Sequence, residues 1–448
     1  MTVSTIILAA GKGTRMKSPT AKILHKIAGK QLIAFSVDLA NSVKSKETVV
    51  VINKEIEKET KTALSENKLI FCSQINQRGT GDAVKIGLKN LKIRSNLTLV
   101  LYGDTPFITT DTIKRMMSKT KKGFDLVFLG FQTSAKNSYG KFKIGPKKTL
   151  FDIIEKNEPG YRSLKSLSNS GILLAKSNII AELIKKIKND NAKQEYYLTD
   201  VVKMANECGF SSTYVECDED ECLGVNSQLE LSIAERKFQD DFRKKLMASG
   251  VSMVSPETCF FSYDTKIKNG CVIEPNVVFG RGVEIQSSTI IRSYSYIEGT
   301  HVGRHCQIGP FARLRPGTHL FDEVRVGNFV EVKNATLASD TKANHLSYIG
   351  DAKVGTNTNI GAGTIFCNYD GKNKHPTVVG NNVFVGSNAS LIAPLKIGDG
   401  SIVAAGSAIN RDVPSESLAI ARPIQQNKIG FGKKIMLKLQ KVADKVKK

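Results

Sequence analysis

A glycine-containing loop near the start of the chain has the residues of a phosphate-binding site. It reads Leu8-Ala9-Ala10-Gly11-Lys12-Gly13-Thr14-Arg15-Met16, and Lys22 follows shortly after. The loop lacks the Gly-Lys-Ser/Thr ending of a Walker loop and the third glycine of the dinucleotide fingerprint. Its backbone amides can still approach a phosphate, with Lys12, Arg15 and Lys22 as nearby cations. These residues therefore predict binding of a phosphorylated ligand.

An aspartate that follows another buried strand is a candidate metal ligand. Tyr102-Gly103-Asp104 comes directly after the strand-like residues 97–101. The carboxyl ends of strands form the usual ligand site of an open α/β sheet, so Asp104 is well placed to hold Mg²⁺. Read alone, Asp104 could equally cap a helix or occupy a turn. The glycine loop at a neighbouring strand end favours the metal-binding interpretation.

A third group consists of polar residues that a repeating fold does not require. They are Arg313–Gly317, Glu331–Lys333, His345–Tyr348 and Asn368–Gly371. Each has a structural explanation when taken singly: His345 could cap a loop, Tyr348 could fill a coil, and Asn368–Gly371 is a good turn sequence. A histidine can also act as a general base near neutral pH. Together these segments indicate a second candidate site.

Aliphatic residues at every sixth position predict the element that carries this second site. The series are Ile267, Ile273, Phe279, Ile285, Ile291 and Ile297; Val302, Ile308, Leu314, Leu320, Val326 and Val332; and Val379, Val385, Leu391, Ile397, Val403 and Ile409. A hexapeptide solenoid has this period, whereas a helix or a strand alone does not. We therefore predict a parallel β-helix, with excursions between Val332 and Val354 and between Ile360 and Val379 that carry function or contact a neighbour.

The preceding half of the chain alternates apolar strands with helical segments. Strands are predicted at residues 3–9, 49–52, 97–102 and 126–131. This order predicts an α/β, Rossmann-like domain with a mainly parallel sheet. The spacing of Leu231, Phe238, Phe242 and Leu246 predicts one long helix that ends at Gly250. We expect a first domain at 1–226, a linker helix at 227–250 and a second domain at 251–448.

The composition argues against several classes of protein. The chain has 448 residues, 41% hydrophobic, with a mean hydropathy of −0.17, which suits two or three globular domains. No apolar stretch approaches the ~20 residues of a membrane span and no signal peptide is recognisable, so we expect no membrane partner. The eight cysteines show neither paired nor metal-ligand spacing. They predict reduced thiols and a cytoplasmic location.

The net charge of +23 is spread along the chain and is mostly lysine. No nucleic-acid-binding module is present, so we expect no nucleic-acid partner but a diffuse attraction for phosphorylated substrates. The only dense basic run is Lys433–Lys448, where Ile435, Leu439, Val442 and Val446 share one helix face. A solvated helix is the preferred interpretation, and an anion-binding arm is the alternative.

The N-terminal motifs resemble those of sugar nucleotidyltransferases, in particular bacterial UDP-N-acetylglucosamine pyrophosphorylases. The resemblance is carried by the glycine loop with Lys22, by Gln74, Gly79-Thr80, Tyr102-Gly103-Asp104, Gly140, Glu155 and Asn169, and by Gly224-Val225-Asn226. It implies a nucleotide site formed by Leu8, Ala9, Ala10, Gly11, Gln74, Gly79, Thr80, Tyr102 and Gly103, and a sugar site formed by Gly140, Glu155 and Asn169. It assigns Asp104 and Asn226 to Mg²⁺. Ala21 departs from the proline usual in relatives, which affects loop stiffness more than chemistry.

This resemblance implies a reaction without a covalent enzyme intermediate. A sugar-1-phosphate oxygen attacks the α-phosphorus of UTP, and pyrophosphate leaves. Catalysis then consists of positioning and of neutralising phosphate charge, which the resemblance assigns to Mg²⁺, Arg15 and Lys22. No general base is required, and we interpret His25 as structural.

The C-terminal motifs resemble the acetyltransferase half of the bifunctional bacterial enzymes that make UDP-N-acetylglucosamine, a precursor of peptidoglycan and lipopolysaccharide. The resemblance extends over nearly the whole chain, from the glycine loop to Ala419–Arg422. It implies a left-handed β-helix. It makes His345 the general base that takes a proton from the amine of glucosamine-1-phosphate as the amine attacks acetyl-CoA. Glu331 is assigned to orienting His345.

The same resemblance assigns the remaining polar residues to substrates. It implies that Arg315 and Lys333 bind the sugar phosphate and that Tyr348 and Asn359 bind the sugar. The acetyl-CoA site is assigned to Ala362, Asn368, Tyr369, Ser387, Ala405 and Arg422. It also implies a homotrimer with active sites in the grooves between solenoids. A single chain is then expected to show an incomplete acetyltransferase site.

Two other functions share this architecture. One is a different sugar-nucleotide pyrophosphorylase, such as an ADP-glucose-forming enzyme, with a purely structural solenoid. The other is a non-catalytic regulatory or exchange-factor subunit. His345 with Arg315 and Lys333 argues against the first, since a structural coil needs none of them. Arg15, Asp104 and His345 argue against the second, which would be free to lose them.

Overall fold

The computed structural model describes residues 1–93, 95–133, 139–156, 158, 160–161, 166–191 and 194–446. The chain divides into two compact units, residues 1–242 and 243–448, and the division falls inside the helix Gln228–Ala248. The predicted long helix is therefore present. The domain limits at residues 226 and 250 stay a prediction.

The first unit is an α/β domain. Its strands are β1 (Val3–Ala9), β2 (Lys26–Ile27), β3 (Lys30–Gln31), β4 (Thr48–Ile52), β5 (Ile70–Ser73), β6 (Leu97–Tyr102), β7 (Leu126–Phe131), β8 (Lys141–Ile144), β9 (Leu150–Ile154), β10 (Ser168–Lys176) and β11 (Ser212–Cys217). Its helices are α1 (Leu32–Ser42), α2 (Glu57–Ala63), α3 (Thr80–Asn90), α4 (Thr110–Lys121), α5 (Ser177–Leu183) and α6 (Val201–Glu207), followed by α7 (Gln228–Ala248).

The main sheet of this unit has the order β11-β7-β10-β6-β1-β4-β5. The pairs β1–β4, β1–β6, β4–β5 and β7–β11 are parallel, and β10 runs antiparallel to β6 and β7. The strands β8 and β9 join the same sheet beside β10 through antiparallel pairs. Strands β1, β4 and β7 are buried at every residue, which explains why their sequences are mostly apolar. The carboxyl ends of β1 and β6, where the glycine loop and Asp104 follow, lie side by side.

The second unit is a left-handed β-helix with three parallel sheets, here called face 1, face 2 and face 3. Face 1 contains Ser252–Met253, Val272–Ile273, Ile290–Ile291, Gln307–Ile308, Arg325–Asn328, Lys342–His345, Asn359–Ile360, Phe384–Val385, Ile402–Val403 and Leu418–Ala419. Face 2 contains Phe260–Phe261, Val278–Phe279, Tyr296–Ile297, Arg313–Leu314, Glu331–Lys333, Tyr348–Gly350, Ile365–Cys367, Ser390–Ile392 and Ala408–Ile409. Face 3 contains Lys266–Ile267, Glu284–Ile285, Thr300–Val302, Thr318–Leu320, Thr336–Leu337, Ala352–Val354, Thr377–Val379 and Leu395–Ile397.

The predicted hexad residues point into the β-helix, as expected from their period. The first series, from Ile267 to Ile297, is at most 7% exposed. The first predicted interruption, however, is wrong. Between Val332 and Val354 the buried residues Leu337, Ala343 and Ile349 continue the coils without an excursion. In this stretch two of the spacings between successive buried residues are five residues instead of six. One of the buried residues is also a small alanine, so the six-residue period is not visible in the sequence.

The second predicted interruption is a real excursion, although a shorter one. Phe366 is buried in the regular place, and the chain returns to face 3 at Thr377. The intervening residues 368–376 form a loop held by its own contacts, including His375 Nε2 on Asp370 Oδ2 at 2.7 Å. This loop therefore adds side chains beside the coil without breaking its core.

The chain continues past the β-helix into the helix α8 (Phe431–Val446), in which no residue is buried. The predicted solvated helix is thus observed. None of the helices in the described ranges combines the length and the apolar character that crossing a bilayer requires.

Candidate active sites

The glycine loop turns sharply at the end of β1. Gly13 has a positive φ of 62°, and a Cβ at this position would meet Lys22 Cβ at 2.7 Å. The loop is held from the other side by Gln77, whose Nε2 donates to the Ala10 carbonyl at 2.5 Å. Gly11 faces open space. A ligand phosphate can therefore approach the backbone here, as the sequence predicts.

Cationic and oxygen-bearing side chains meet beside this loop. The Lys22 ammonium contacts Asp104 Oδ2 and donates to Asn226 Oδ1 at 3.2 Å. Arg15 Nη2 donates to the same amide oxygen at 3.0 Å. Glu230 accepts a hydrogen bond from the Asn226 backbone at 2.6 Å and so fixes the turn that presents Asn226. The predicted catalytic and metal-binding residues of this domain are thus assembled at one place.

The donor set fits a magnesium ion. Asp104 and Asn226 present a carboxylate and an amide oxygen to one cation, the Lys22 ammonium, and both are hard oxygen ligands. Within the described ranges, no three His, Cys, Asp or Glu side chains gather to hold a metal by themselves. A Mg²⁺ here is therefore of the kind that takes one or two protein ligands and fills its shell with phosphate oxygens and water.

Three of the predicted nucleotide-binding residues, Gln74, Gly79 and Thr80, lie between β5 and the first turn of α3. Gln74 Nε2 donates to the Gly79 carbonyl at 3.1 Å and to Asp82 Oδ2 at 2.8 Å. Gly79 has a φ of 101°, and a Cβ there would meet the Tyr196 carbonyl at 2.6 Å. Thr80 Oγ1 accepts from the Leu198 backbone at 3.1 Å. These contacts hold Gln74 and Thr80 in fixed positions against the ligand space.

The predicted sugar-binding residues come from β8, β9 and β10. Asn169 donates from its backbone to the Gly140 carbonyl at 2.7 Å, and its Oδ1 accepts from the Gly171 backbone at 3.0 Å. Glu155 Oε1 accepts from Thr199 Oγ1 at 3.2 Å. The three residues therefore converge from separate strands.

All predicted nucleotide-binding, sugar-binding, metal-binding and catalytic residues of this unit line one cleft of about 850 Å³, with the exception of Gly103. Gly103 lies beneath the cleft, where its backbone donates to the Leu8 carbonyl at 2.9 Å and a Cβ would crowd Ala9. Burial raises the pKa values of Tyr102 and Tyr139 in the same cleft, and so keeps both phenols neutral. Lining residues that the motifs did not indicate are Gln77, Thr105, Tyr139, Glu195, Tyr197, Thr199 and Glu230.

His345 lies at a corner of the β-helix, at the end of a face 1 strand, and is exposed. Its Nδ1 is 2.7 Å from Asn328 Oδ1, on the preceding coil. Because an amide oxygen can only accept, Nδ1 is the donor in this contact, and a neutral imidazole in this orientation has its lone pair on Nε2. The predicted general base is thus held with one nitrogen free. Asn328 was not among the predicted site residues.

Within one chain Glu331 is hydrogen-bonded to Arg315 and not to His345, and its assignment to orienting His345 stays a prediction. Glu331 Oε1 instead accepts from Arg315 Nη1 at 2.7 Å, across the neighbouring coils of face 2. The register partner of Glu331 is Arg313, and the charge-assisted hydrogen bond to Arg315 runs diagonally between the two coils. The neutral Asn328 takes the place beside the imidazole.

A cationic cluster occupies the other edge of face 2. The neighbouring Lys374 ammonium lowers the pKa of Lys333, and Arg315 adds to this effect while Asp351 opposes it. Three neighbouring positive charges can bind a phosphate group, which is the role predicted for Arg315 and Lys333. Lys374 belongs to the loop 368–376 and was missed, because only the folded excursion brings it to this edge.

The residues assigned to the sugar do not meet within one chain. Tyr348 lies on face 2, with its hydroxyl 3.5 Å from Asn368 Nδ2, and Asn368 also donates to Asp351. Asn359 lies on face 1. Tyr369, which the resemblance assigns to acetyl-CoA, is exposed and donates to the Gly371 carbonyl at 2.5 Å. Asn359 and Tyr348 thus belong to different surfaces of the β-helix.

Four of the residues assigned to acetyl-CoA, Ala362, Ser387, Ala405 and Arg422, form a column at the His345 corner. The other two, Asn368 and Tyr369, lie in the loop 368–376 instead. The carbonyls of His345, Ala362 and Ser387 each accept a backbone hydrogen bond from the next coil, from Gly363, Asn388 and Gly406 at 3.3, 2.7 and 2.8 Å. Arg422 Nη1 donates to the Ala405 carbonyl at 2.9 Å. With strands about 4.8 Å apart, the column runs roughly 19 Å from His345 to Arg422. Such a strip suits an elongated ligand.

Known proteins resemble both units. The MobA-like NTP transferase domain matches residues 5–170, and the bacterial transferase hexapeptide (six repeats) matches residues 376–411. The chain is 42% identical over 435 residues to the bifunctional protein GlmU of Bartonella quintana (strain Toulouse), which covers 97% of both chains. It is 44% identical to that of Bartonella bacilliformis (strain ATCC 35685 / KC583 / Herrer 020/F12,63), over 94% of both chains. The bifunctional protein GlmU of Wolbachia pipientis wMel is 43% identical, over 94% of this chain and 97% of the relative.

These likenesses extend over both units and do not favour the alternatives of a structural solenoid or a regulatory subunit. The geometry agrees, since the cation centre around Asp104 and the corner around His345 are both assembled. The chain therefore belongs to the family of bifunctional GlmU proteins and is an enzyme with nucleotidyltransferase and acetyltransferase activities.

Proposed function

We propose that the chain converts glucosamine-1-phosphate into UDP-N-acetylglucosamine in two steps. The β-helix first transfers an acetyl group from acetyl-CoA to the sugar amine. The α/β unit then transfers uridylyl from UTP to N-acetylglucosamine-1-phosphate and releases pyrophosphate. The observation that carries this proposal is the lining of one cleft by nucleotide, sugar and metal residues of the first unit, together with the His345 corner of the second.

Uridylyl transfer depends on neutralising the charge of two phosphorylated substrates. We assign Arg15 and Lys22 to the phosphates of UTP, and Asp104 and Asn226 to a Mg²⁺ ion, which the family generally uses. When bound, the ion supplies positive charge to the phosphate oxygens. Glu155, Asn169 and Gly140 hold the sugar so that its phosphate oxygen faces the α-phosphorus. With Asp104 holding the ion, Lys22 would be available to contact phosphate oxygens.

Acetyl transfer depends on a base beside the sugar amine. A protonated amine cannot attack a thioester, so His345 Nε2 takes the proton as the amine nitrogen attacks the acetyl carbonyl. The carbonyl then re-forms and the sulfur of CoA leaves as a thiolate, which recovers a proton. Asn328 holds the imidazole in the required tautomer. Arg315, Lys333 and Lys374 bind the sugar phosphate, and Glu331 keeps Arg315 in place.

We further propose that the β-helix assembles as a homotrimer and that each acetyltransferase site is completed between chains. Hexapeptide-repeat domains are consistent with oligomerisation. Asn359 and Tyr348 lie on different faces of one chain, so a sugar bound by both needs two chains. We also place the protein in the cytoplasm, which the eight free cysteines support.

The proposal is tested with purified protein, glucosamine-1-phosphate, acetyl-CoA, UTP and Mg²⁺. Mass spectrometry should detect UDP-N-acetylglucosamine together with stoichiometric CoA and pyrophosphate. Omitting acetyl-CoA should abolish the product, and supplying N-acetylglucosamine-1-phosphate should restore it. Formation of an ADP-sugar in preference to a UDP-sugar, or failure to acetylate the amine, would refute the proposal.

A further inference from the structure

The helix α8 has two sides of opposite character. At about 100° per residue, the apolar side chains fall within an arc of about 140°. This apolar side contains Phe431, Ile435, Met436, Leu439, Val442, Ala443 and Val446. The opposite side contains Lys433, Lys434, Lys438, Lys441 and Lys445. One apolar residue, Leu437, lies among the lysines.

The fold leaves the apolar side of α8 uncovered. Throughout this helix, which lies entirely in the described part of the chain, every residue is exposed, including Leu439 at 57% and Ile435 at 53%. A helix of this length is marginal in water without packing. A contiguous apolar stripe that the fold does not use marks an interaction surface.

The charge of the opposite side selects the partner. Asp444 is the single acidic residue of α8, so the helix is strongly cationic. A protein partner that covers only the apolar stripe leaves the lysines on the other side of α8 without anionic partners. An anionic phospholipid surface satisfies both sides, since the acyl boundary accepts the apolar stripe and the headgroups meet the lysines.

We propose that α8 lies in the surface of an anionic phospholipid bilayer and attaches the enzyme to it reversibly. The expectation of no membrane partner rested on the lack of a spanning segment, and lying on a bilayer requires none. The attachment goes beyond the proposed function, because none of the residues assigned to either active site belongs to α8.

Flotation of the full-length protein with vesicles tests the attachment. Vesicles of phosphatidylcholine mixed with phosphatidylglycerol should carry the protein upward, and vesicles of phosphatidylcholine alone should carry little. Binding should fall steeply when the salt is raised to about 1 M, where the Debye length shrinks to about 3 Å. Equal binding to both vesicle types, or none to the anionic vesicles at low salt, would overturn the proposal.

Two leucines of the helix provide a matched pair of variants. Leu439→Ser removes a side chain from the apolar stripe and should weaken partitioning about tenfold or more. Leu437→Ser removes the same side chain, which is 55% exposed, from the lysine side and should change partitioning less than about threefold. Similar losses for both variants would exclude insertion of the stripe.

The lysine side is tested independently. The double variant Lys434→Gln/Lys441→Gln should weaken binding to anionic vesicles about 30-fold, at about tenfold per 1.4 kcal/mol and about 1 kcal/mol per lysine. Lys268→Gln/Lys353→Gln makes the same change in net charge on the β-helix and should have little effect. An equal loss for this control would assign binding to general charge and not to α8.

Both enzymatic activities should be unchanged in all of these variants, which shows that they fold. Sedimentation of Leu439→Ser in the absence of vesicles provides the remaining control. A change in oligomeric state, with no binding of wild type to anionic vesicles, would assign the stripe to a second copy of the chain and overturn the proposal.

Discussion

At the scale of single residues, each proposed active site contains a side chain that a neighbouring side chain holds in place. Asp104 shares one cation with Asn226, and His345 donates from Nδ1 to Asn328. Glu230 and Glu331 stabilise the groups beside them, Asn226 and Arg315. We therefore expect that substituting a residue that contacts substrate or metal changes activity differently from substituting the residue that positions it.

Replacing Asp104 by alanine should reduce uridylyl transfer by about 10²-fold or more, since a ligand that neutralises phosphate charge is lost. Acetyl transfer should be unchanged. The two activities are measured separately, with N-acetylglucosamine-1-phosphate plus UTP and with glucosamine-1-phosphate plus acetyl-CoA. Asp104→Asn keeps the shape and one oxygen, so more Mg²⁺ should partly restore its activity. Equal loss of both activities would indicate misfolding and refute a metal-specific role.

Replacing His345 by alanine should lower acetyl-transfer turnover by about 10²–10⁴-fold, the usual effect of losing a general base. The residue is exposed at a corner and outside the buried core, so the fold should survive. Uridylyl transfer and oligomeric state serve as controls. A variant that retains most of its acetyltransferase turnover would return His345 to a structural role.

Asn328 is predicted to position His345 without touching substrate. Asn328→Ala should reduce the kcat of acetyl transfer by about 10- to 100-fold with little change in KM for glucosamine-1-phosphate. Asn328→Asp should instead move the acid limb of the pH–rate profile to higher pH, because a carboxylate beside an imidazole favours its protonated form. An unchanged pH profile in the aspartate variant would contradict direct contact between the two side chains in solution.

At the scale of elements, the sequence indicated the strands and coils well and the side-chain partners poorly. The aliphatic hexads predicted the β-helix because a buried position recurs once per strand. The stretch after Val332 was misjudged because five-residue steps and Ala343 break the visible period. Asn328 and Lys374 were missed because their partners lie a full coil or a loop away, where only the register of the folded coils brings them together.

The start of α7 belongs with the first active site, which predicts where the chain can be cut. Glu230 binds the Asn226 backbone, and Glu235 accepts from the Ala28 backbone at 2.7 Å. A fragment of residues 1–242 should therefore keep near wild-type uridylyl transfer. A fragment of residues 1–226 should be less active and less stable to urea. Equal activity and stability of the two fragments would show that α7 contributes nothing to this site.

At the scale of the whole molecule, the central claim is that two independent sites on one chain carry out consecutive steps. N-acetylglucosamine-1-phosphate is then a free intermediate that can leave one protein molecule and react on another. A site shared by both steps would not allow this. The variants His345→Ala and Asp104→Ala, each lacking one step, separate the two possibilities.

The most direct measurement is the formation of UDP-N-acetylglucosamine from glucosamine-1-phosphate, acetyl-CoA, UTP and Mg²⁺ by the two variants alone and mixed after separate purification. We predict little product from either variant alone and substantial product from the mixture, with N-acetylglucosamine-1-phosphate accumulating when Asp104→Ala acts alone. A mixture no more active than its components, although each retains its other activity, would contradict two independent sites.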